Sequence, residues 1–262
     1  CASTAAVLMA TTLGTYPIVF AGTEDQKRRY LPGIAGGHLQ GCFALTERQA
    51  GSDAGAVSTT ATAVQDGYEL NGAKCFIGNG LAADICLVVA STDRSNGVRG
   101  LTAFIVEKDT PGLSVGKLER KMGIRGTSTA ELIFERCFVP ADNLLGGLNR
   151  GFRVAMQNLD AARPTTGAQA IGIGQAAFEE ALRYSQQRVQ FGGPIASQQA
   201  IQFMLADMAT ELDAARLMVH RVAAMHDDGA GRITKEAAMA KLFASEVSHR
   251  VVDKALQVHG GY

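Results

Sequence analysis

A run of apolar residues in the last third of the chain sets the strongest constraint on the fold. From Ser197, the positions Ile201, Leu205, Met208, Leu212, Ala215, Val219 and Val222 follow one another at alternating spacings of four and three. That spacing draws one apolar stripe along a long helix, and the stripe needs partner surfaces to bury it. A second helix is predicted from about Thr234 to Val258, after the loop Asp227-Asp228-Gly229-Ala230-Gly231. A third begins past Gly146-Gly147, where Phe152, Met156 and Leu159 open the pattern. Three long amphipathic helices predict an antiparallel bundle.

Residues 41 to about 140 differ in kind. Val57 to Val64 is rich in Thr, Val and Ala. Asp66-Gly67 and Asn71-Gly72 read as turns on either side of Tyr68-Glu69-Leu70. Cys75–Ile77, Ile85–Ala90 and Leu101–Val106 read as apolar strands, Pro111-Gly112 as a turn, and Glu131–Val139 as an alternating strand before Pro140. Many short strands with turns between them predict an antiparallel β barrel or sandwich. No helix alternates with them, which disfavours a doubly wound sheet. Residues 1 to about 40 read as helical, with a stripe of Ala5, Ala6, Leu8, Met9 and Leu13. A helix start lies at Thr23-Glu24-Asp25-Gln26 and an end at Pro32-Gly33. The predicted organisation is α+β: helices over 1–40, a central β domain over 41–146, and the helix bundle over 147–262.

Composition narrows the function classes. Lys plus Arg and Asp plus Glu both number 25, so the net charge is zero, with no general electrostatic case for nucleic acid or a membrane surface. The cysteines Cys1, Cys42, Cys75, Cys86 and Cys137 form no C-x-x-C pair and read as small buried residues in a reducing compartment. No signal peptide and no run of 18 apolar residues is found, so no membrane span is expected. His38, His220, His226, His249 and His259 lack metal-ligand spacing, and no metal is expected. No G-x-S-x-G elbow is present. Gly172-Ile-Gly174-Gln-Ala-Ala177 matches G-x-G-x-x-A but follows helical sequence, so close helix packing accounts for it better than dinucleotide binding. Cys1 at one end and Gly260-Gly261-Tyr262 at the other read as the ends of a piece of something longer.

One stretch points to chemistry. Cys42 to Asp53, CFALTERQAGSD, opens as a short apolar strand and breaks into a polar, glycine-containing loop. Such a loop lets backbone approach a flat or phosphate-bearing ligand, with the Thr46 and Ser52 hydroxyls as hydrogen-bonding groups; an ordinary strand exit would look the same. The stretch resembles the signature of the acyl-CoA dehydrogenase family, close to T-E-P-x-A-G-S-D, with Arg48 where the family usually has proline. Cys75-Phe76-Ile77-Gly78-Asn79-Gly80 is similar to the family's W-I-T-N-G segment, keeping an aromatic at Phe76 and losing a hydroxyl at Gly78. Leu159-Asp160-Ala161-Ala162-Arg163-Pro164 resembles the helix bordering the acyl-CoA pocket. Arg188-Val189-Gln190-Phe191-Gly192 with Gln198-Gln199, and Gln257-Val258-His259-Gly260-Gly261, resemble its R-x-x-F-G…Q and Q-x-x-G-G motifs. Five motifs in family order cover essentially the whole chain.

The resemblance implies FAD held between barrel and bundle. Its implied contacts are Phe43, Leu45, Thr46, Gly51, Ser52, Phe76, Ile77 and Gly78 from the β domain. Arg188, Gln190, Phe191, Gln198, Gln199, Gln257, Val258, Gly260 and Gly261 follow from the helices, with Arg188 and Phe191 reaching a neighbouring subunit's cofactor. Substrate contacts fall to Ser52, Asp160 and Arg163; arginine suits a CoA phosphate through its fixed charge and forked donors. The implied activity is α,β-dehydrogenation of an acyl-CoA thioester in fatty-acid metabolism. A glutamate takes the α-proton, hydride passes to flavin, and electrons then go to an electron-transferring flavoprotein. A homodimer or homotetramer in the bacterial cytoplasm, or in the mitochondrial matrix, is expected. The family's base is a glutamate either directly before the arginine matched by Arg163, where this chain has Ala162, or well downstream of Gly-Gly; no catalytic base is therefore assigned within 1–262. An oxygen-using flavin oxidase or monooxygenase, or a non-catalytic family member, are the alternatives.

Overall fold

The computed structural model describes residues 2–262, so Cys1 lies outside the described residues. The described residues divide into two compact units, Ser3–Leu159 and Asp160–Tyr262 with Ala2, and the division falls inside one long helix.

In the first unit, helix α1 (Ala2–Ala21) precedes α2 (Glu24–Ala35). α2 starts where expected: Thr23 and Gln26 form a reciprocal capping box. It runs through Pro32 and Gly33 to Ala35, past the predicted stop; the Gly36 amide still finds the Pro32 carbonyl at 2.9 Å. α1 is long and apolar enough to cross a membrane by length and composition, with mean hydropathy 1.5. Its small residues give it a second reading. A Cβ on Gly14 would stand 2.5 Å from the Cys42 amide, so the helix lies directly on strand β1 (Gly41–Ala44).

The remaining strands are β2 (Thr60–Val64), β3 (Gly67–Gly78), β4 (Ile85–Ser91), β5 (Leu101–Glu107), β6 (Leu113–Leu118), β7 (Thr129–Pro140) and β8 (Leu144–Leu145). They form one sheet in the order β6-β7-β3-β2-β4-β5-β8, with β1 added beside β4. Pairing is antiparallel except for β1–β4 and the single β2–β4 bridge, which are parallel. Inward residues from β1 to β7 share one core, in which Tyr68 of β3 meets Phe104 of β5 at 5.1 Å between ring centroids. The sheet therefore wraps around its core in barrel fashion. Four cysteines, Cys42, Cys75, Cys86 and Cys137, are buried and free. The Cys42 and Cys86 thiols face each other across the parallel β1–β4 pair.

One expected turn is absent. Asp66-Gly67 turns the chain, but β3 continues through Asn71-Gly72. Asn71 instead receives the Arg136 amide on its Oδ1 and donates Nδ2 to Glu69. It thereby stabilises a bulge on β7, where Arg136 has a positive φ of 49°. β7 gains one residue there, between the Leu70–Cys137 and Gly72–Phe134 pairs. β3 gains one in turn between Lys74–Leu132 and Ile77–Ala130, at Phe76, φ 59°. The two bulges cancel, so the core sees Leu70 and Lys74 before the second bulge and Ile77 after it.

The second unit holds most of α3 (Gly151–Gln187), the small hairpin β9 (Val189–Gln190) and β10 (Gly193–Pro194), α4 (Gln199–Asp227) and α5 (Thr234–His259). Its core contains Met208, Leu212, Ala215, Val219 and Val222 of the predicted stripe, with Ile201 and Leu205 packed beside it. On α3, Gly167, Gly174 and Ala181 repeat every seven residues on one face. A Cβ at Gly174 would meet Leu212 at 3.0 Å and one at Gly167 would meet Val219 at 3.0 Å. Helix packing thus accounts for Gly174, whereas Gly172 of the same motif faces open space.

Candidate functional site

In the β unit the structure brings the two motif stretches together. The Cys75 amide of β3 donates to the Thr46 carbonyl at 2.9 Å, tying the strand to the loop that leaves β1. Glu47 and Ala50 close a tight turn by reciprocal backbone bonds of 3.0 and 3.1 Å, leaving Arg48 and Gln49 at its tip. With arginine in place of proline, closure of the turn falls to those bonds, and Arg48 reaches Glu131 at 3.5 Å. Gly51 and Ser52 follow, both exposed.

Phe76 is the most informative residue. It sits at the β3 bulge in the left-handed region and is 64% exposed. A bulky residue held at positive φ with its ring out of the core is a strained arrangement, of a kind that clusters at ligand and active sites. A Cβ on Gly78 would touch only Ala10, at 3.7 Å, and one on Gly51 nothing within 4 Å. Beside Gly78, the Ser128 hydroxyl is buried and has no hydrogen-bond partner among the described residues. An open aromatic face, uncovered glycine backbone and an orphaned hydroxyl fit a flat heteroaromatic ring. Phe43 is half-buried, whereas the Leu45 and Ile77 side chains lie inside, so only their backbone is available to a ligand.

A buried ion pair joins the Glu47–Ala50 turn to β3. Lys74 is 0% exposed, and its Nζ donates to Glu47 Oε1 at 2.7 Å and to the Leu45 carbonyl at 3.0 Å. Glu47, 3% exposed, also accepts from the Ser58 and Thr59 amides (2.8 and 3.0 Å), the Ser58 hydroxyl (2.7 Å) and Gln49 Nε2 (3.1 Å). Burial raises the Glu47 carboxyl, but the Lys74 ammonium and these donors outweigh it and hold it at about 2. Burial pulls Lys74 down to about 8 against the opposing pull of Glu47. The sequence signal was available: one lysine interrupts an otherwise apolar inward row on β3.

In the helical unit a second group assembles at one end of the bundle. The Arg188 guanidinium lies 5.3 Å from the Tyr262 ring centroid, and Tyr184 stacks on His259 at 4.6 Å. The start of the β9–β10 hairpin and the Gln257–Gly261 segment, far apart in sequence, are therefore adjacent. Phe191 stands at the hairpin tip, 94% exposed with φ 53°. Gln190, Gln198, Gln199, Gln257, Gly260 and Gly261 are exposed, while the Val258 side chain is buried in the bundle core. Nearer the start of the unit, Asp160 holds both Arg163 and the Thr234 hydroxyl. Arg163 and Pro164 lie within α3. Ala162 is buried.

A helical segment, a wrapped β unit with an open aromatic face, and a helical unit whose distant motifs converge define a flavoprotein-type α–β–α chain. Comparison with known proteins gives the same answer. Residues 1–38, 42–137 and 149–262 match the N-terminal, middle and C-terminal domains of acyl-CoA dehydrogenase, respectively. The chain belongs to the acyl-CoA dehydrogenase family. It is 51% identical over 252 residues to an acyl-CoA dehydrogenase of Bacillus subtilis, covering 96% of this chain and 66% of that protein. The structure of butyryl-CoA dehydrogenase from Megasphaera elsdenii superposes with a TM-score of 0.97 at 48% identity, covering 100% of this chain and 68% of that one. A chain from a study of the electron transferring flavoprotein of Acidaminococcus fermentans and flavin-based electron bifurcation gives 0.96 at 49% identity, covering 98% and 67%. The chain spans about two thirds of the length of these relatives.

Proposed function

We propose that this chain carries the flavin-holding part of an FAD-dependent acyl-CoA dehydrogenase, which converts an acyl-CoA thioester to its 2-enoyl form and delivers the electrons to an electron-transferring flavoprotein. The observation that carries the reading is the exposed Phe76 ring at positive φ, bonded through Cys75 to the Thr46–Ser52 loop. FAD supplies the two-electron acceptor chemistry when bound. Phe43, Leu45, Thr46, Gly51, Ser52, Phe76, Ile77 and Gly78 would line one side of it, Leu45 and Ile77 through backbone. Arg188, Gln190, Phe191, Gln198, Gln199, Gln257, Val258, Gly260 and Gly261 form the second contact set. Arg188 and the exposed Phe191 serve the cofactor of a second copy, in a homodimer or homotetramer. Asp160 orients Arg163, whose remaining donors suit a CoA phosphate; Ser52 stands on the substrate side of the loop.

No residue of 1–262 is assigned as the base for the α-proton: of the family's two positions, one is Ala162 here and the other falls well downstream of Gly260-Gly261. The Glu47 carboxylate is buried, accepts every donor around it and stays ionised down to about pH 2, far from the value a general base near neutrality needs. Anaerobic titration of the protein with a panel of acyl-CoAs tests the function. Residues 1–262 reconstituted with FAD are expected to keep their flavin absorbance with every thioester, whereas the flavin of the full-length protein is expected to bleach with at least one. Stable FAD binding by the full-length protein without bleaching by any of them would refute the dehydrogenase assignment, and bleaching of 1–262 alone would place a base inside it. Fast reoxidation by air would instead place the protein among oxygen-using flavoenzymes.

A further inference from the structure

The buried ion pair has no part in proton or hydride transfer, yet it occupies an expensive position. Removing two charges from water costs several kcal/mol per ion, and well-packed apolar residues of similar volume are often as stable or more so. Stability alone is a weak reason to hold Lys74 and Glu47 there. Their bonds show what else they do. Glu47 Oε1 takes the Thr59 amide as well as Lys74; Oε2 takes Ser58 and Gln49. Lys74 adds the Leu45 carbonyl. Three segments are thereby joined at one point: the Glu47–Ala50 turn, the entry to β2, and β3 just before its bulge. Lys74 is also the last inward residue before the extra residue of β3, two positions ahead of Phe76.

We propose that the Glu47–Lys74 pair is the positioning device of the flavin-facing surface, setting the Phe76–Gly78 stretch against the Thr46–Ser52 loop. The inference rests on the flavin reading above. Both side chains are buried, so the pair acts through Phe76 and the loop rather than by touching the cofactor; a site loosened by about 1 Å loses much of its function.

The test replaces the pair by a neutral, size-matched one in the intact protein. Glu47→Gln with Lys74→Met leaves no lone charge, and the glutamine oxygen keeps an acceptor for one of the two amides, Thr59 on Oε1 or Ser58 on Oε2. The double variant is expected to fold, while FAD binds roughly tenfold more weakly and the flavin absorption bands shift. Val139→Ala, in the same core but away from the loop, is expected to lower the melting temperature and leave the spectrum unchanged. Should the double variant not fold, Glu47→Asp decides: it keeps the charge but withdraws the carboxylate by one methylene, and is expected to show the same weakened binding and shifted bands. A folded variant, double or Glu47→Asp, with parental FAD affinity and spectrum overturns the positioning role alone. A parent protein that takes up no FAD overturns the flavin reading, and this inference with it.

Discussion

The two units solve burial in opposite ways. The helical core is built from small and branched apolar residues, with Ala215, Ala237, Ala240, Ala244 and Ala255 allowing the helices to approach closely, and buries no charged side chain. The β unit buries a complete ion pair. Among the described residues, six of its non-glycine residues have positive φ (Asp66, Phe76, Asn79, Ile124, Arg136 and Asn149), against Phe191 alone in the helical unit. Regular packing makes a scaffold; irregular backbone held by polar bonds shapes a surface. Two of those six residues, Phe76 and Asn79, fall in a motif stretch, and the buried pair ties that stretch to the loop after β1.

Four measurements would sharpen or break that contrast. The largest effect is expected from Lys74→Met alone, which strands a buried carboxylate and should cost about 3–5 kcal/mol in chemical denaturation. A cost below 1 kcal/mol would mean the pair is not load-carrying in the β unit. Acid comes next. Glu47 is depressed from 4.5 to about 2 in the folded state, so its contribution is present above about pH 4.5 and fades as pH falls toward 2, a loss on the order of 3 kcal/mol. Urea midpoints taken between pH 6 and pH 3 should fall for the parent and change less for Glu47→Gln with Lys74→Met. Third, Ala240→Leu overpacks the helical core and should cost about 1–3 kcal/mol without altering the flavin spectrum; an altered spectrum would break the division of labour. Smallest is Arg48→Ala, which removes an exposed pair with Glu131 and should change stability by about 0–1 kcal/mol, read as a near-constant melting temperature.

The helical unit was legible because one period runs through it: the stripe from Ile201 to Val222 became the core face of α4 with no exception. The β unit was legible in its strands but not in its joints. Asn71-Gly72 carries the same local signal as a hairpin turn, and only the partner strand, with its own extra residue at Arg136, decides for a bulge. β6, between Pro111-Gly112 and the Glu119–Ser128 segment, escaped notice because its residues are largely exposed and do not alternate. Pro32-Gly33 signalled a stop that the Gly36 cap carried one turn further. The motif residues were placed in sequence order, yet only coordinates show that Leu45, Ile77 and Val258 turn their side chains inward, since facing depends on the bulges and not on residue type. Lys74 was visible as a charge in an apolar row, but its partner lies 27 residues away.

The paired bulges of β3 and β7 behave like a frameshift and its suppressor. Each inserts one residue and swaps which side chains face the core; together they restore the original reading. Between them lies a short window in which the β3–β7 pairing is read one residue out of step with the rest of the ladder, from Gly72–Phe134 to Lys74–Leu132. Loss of either insertion alone would carry the altered frame to one end of the ladder, turning Ile77 outward at one end or Val139 and Cys137 outward at the other. Length changes in these two strands are therefore tolerable only in compensating pairs, one in each strand, while point substitutions at the exposed tips remain free.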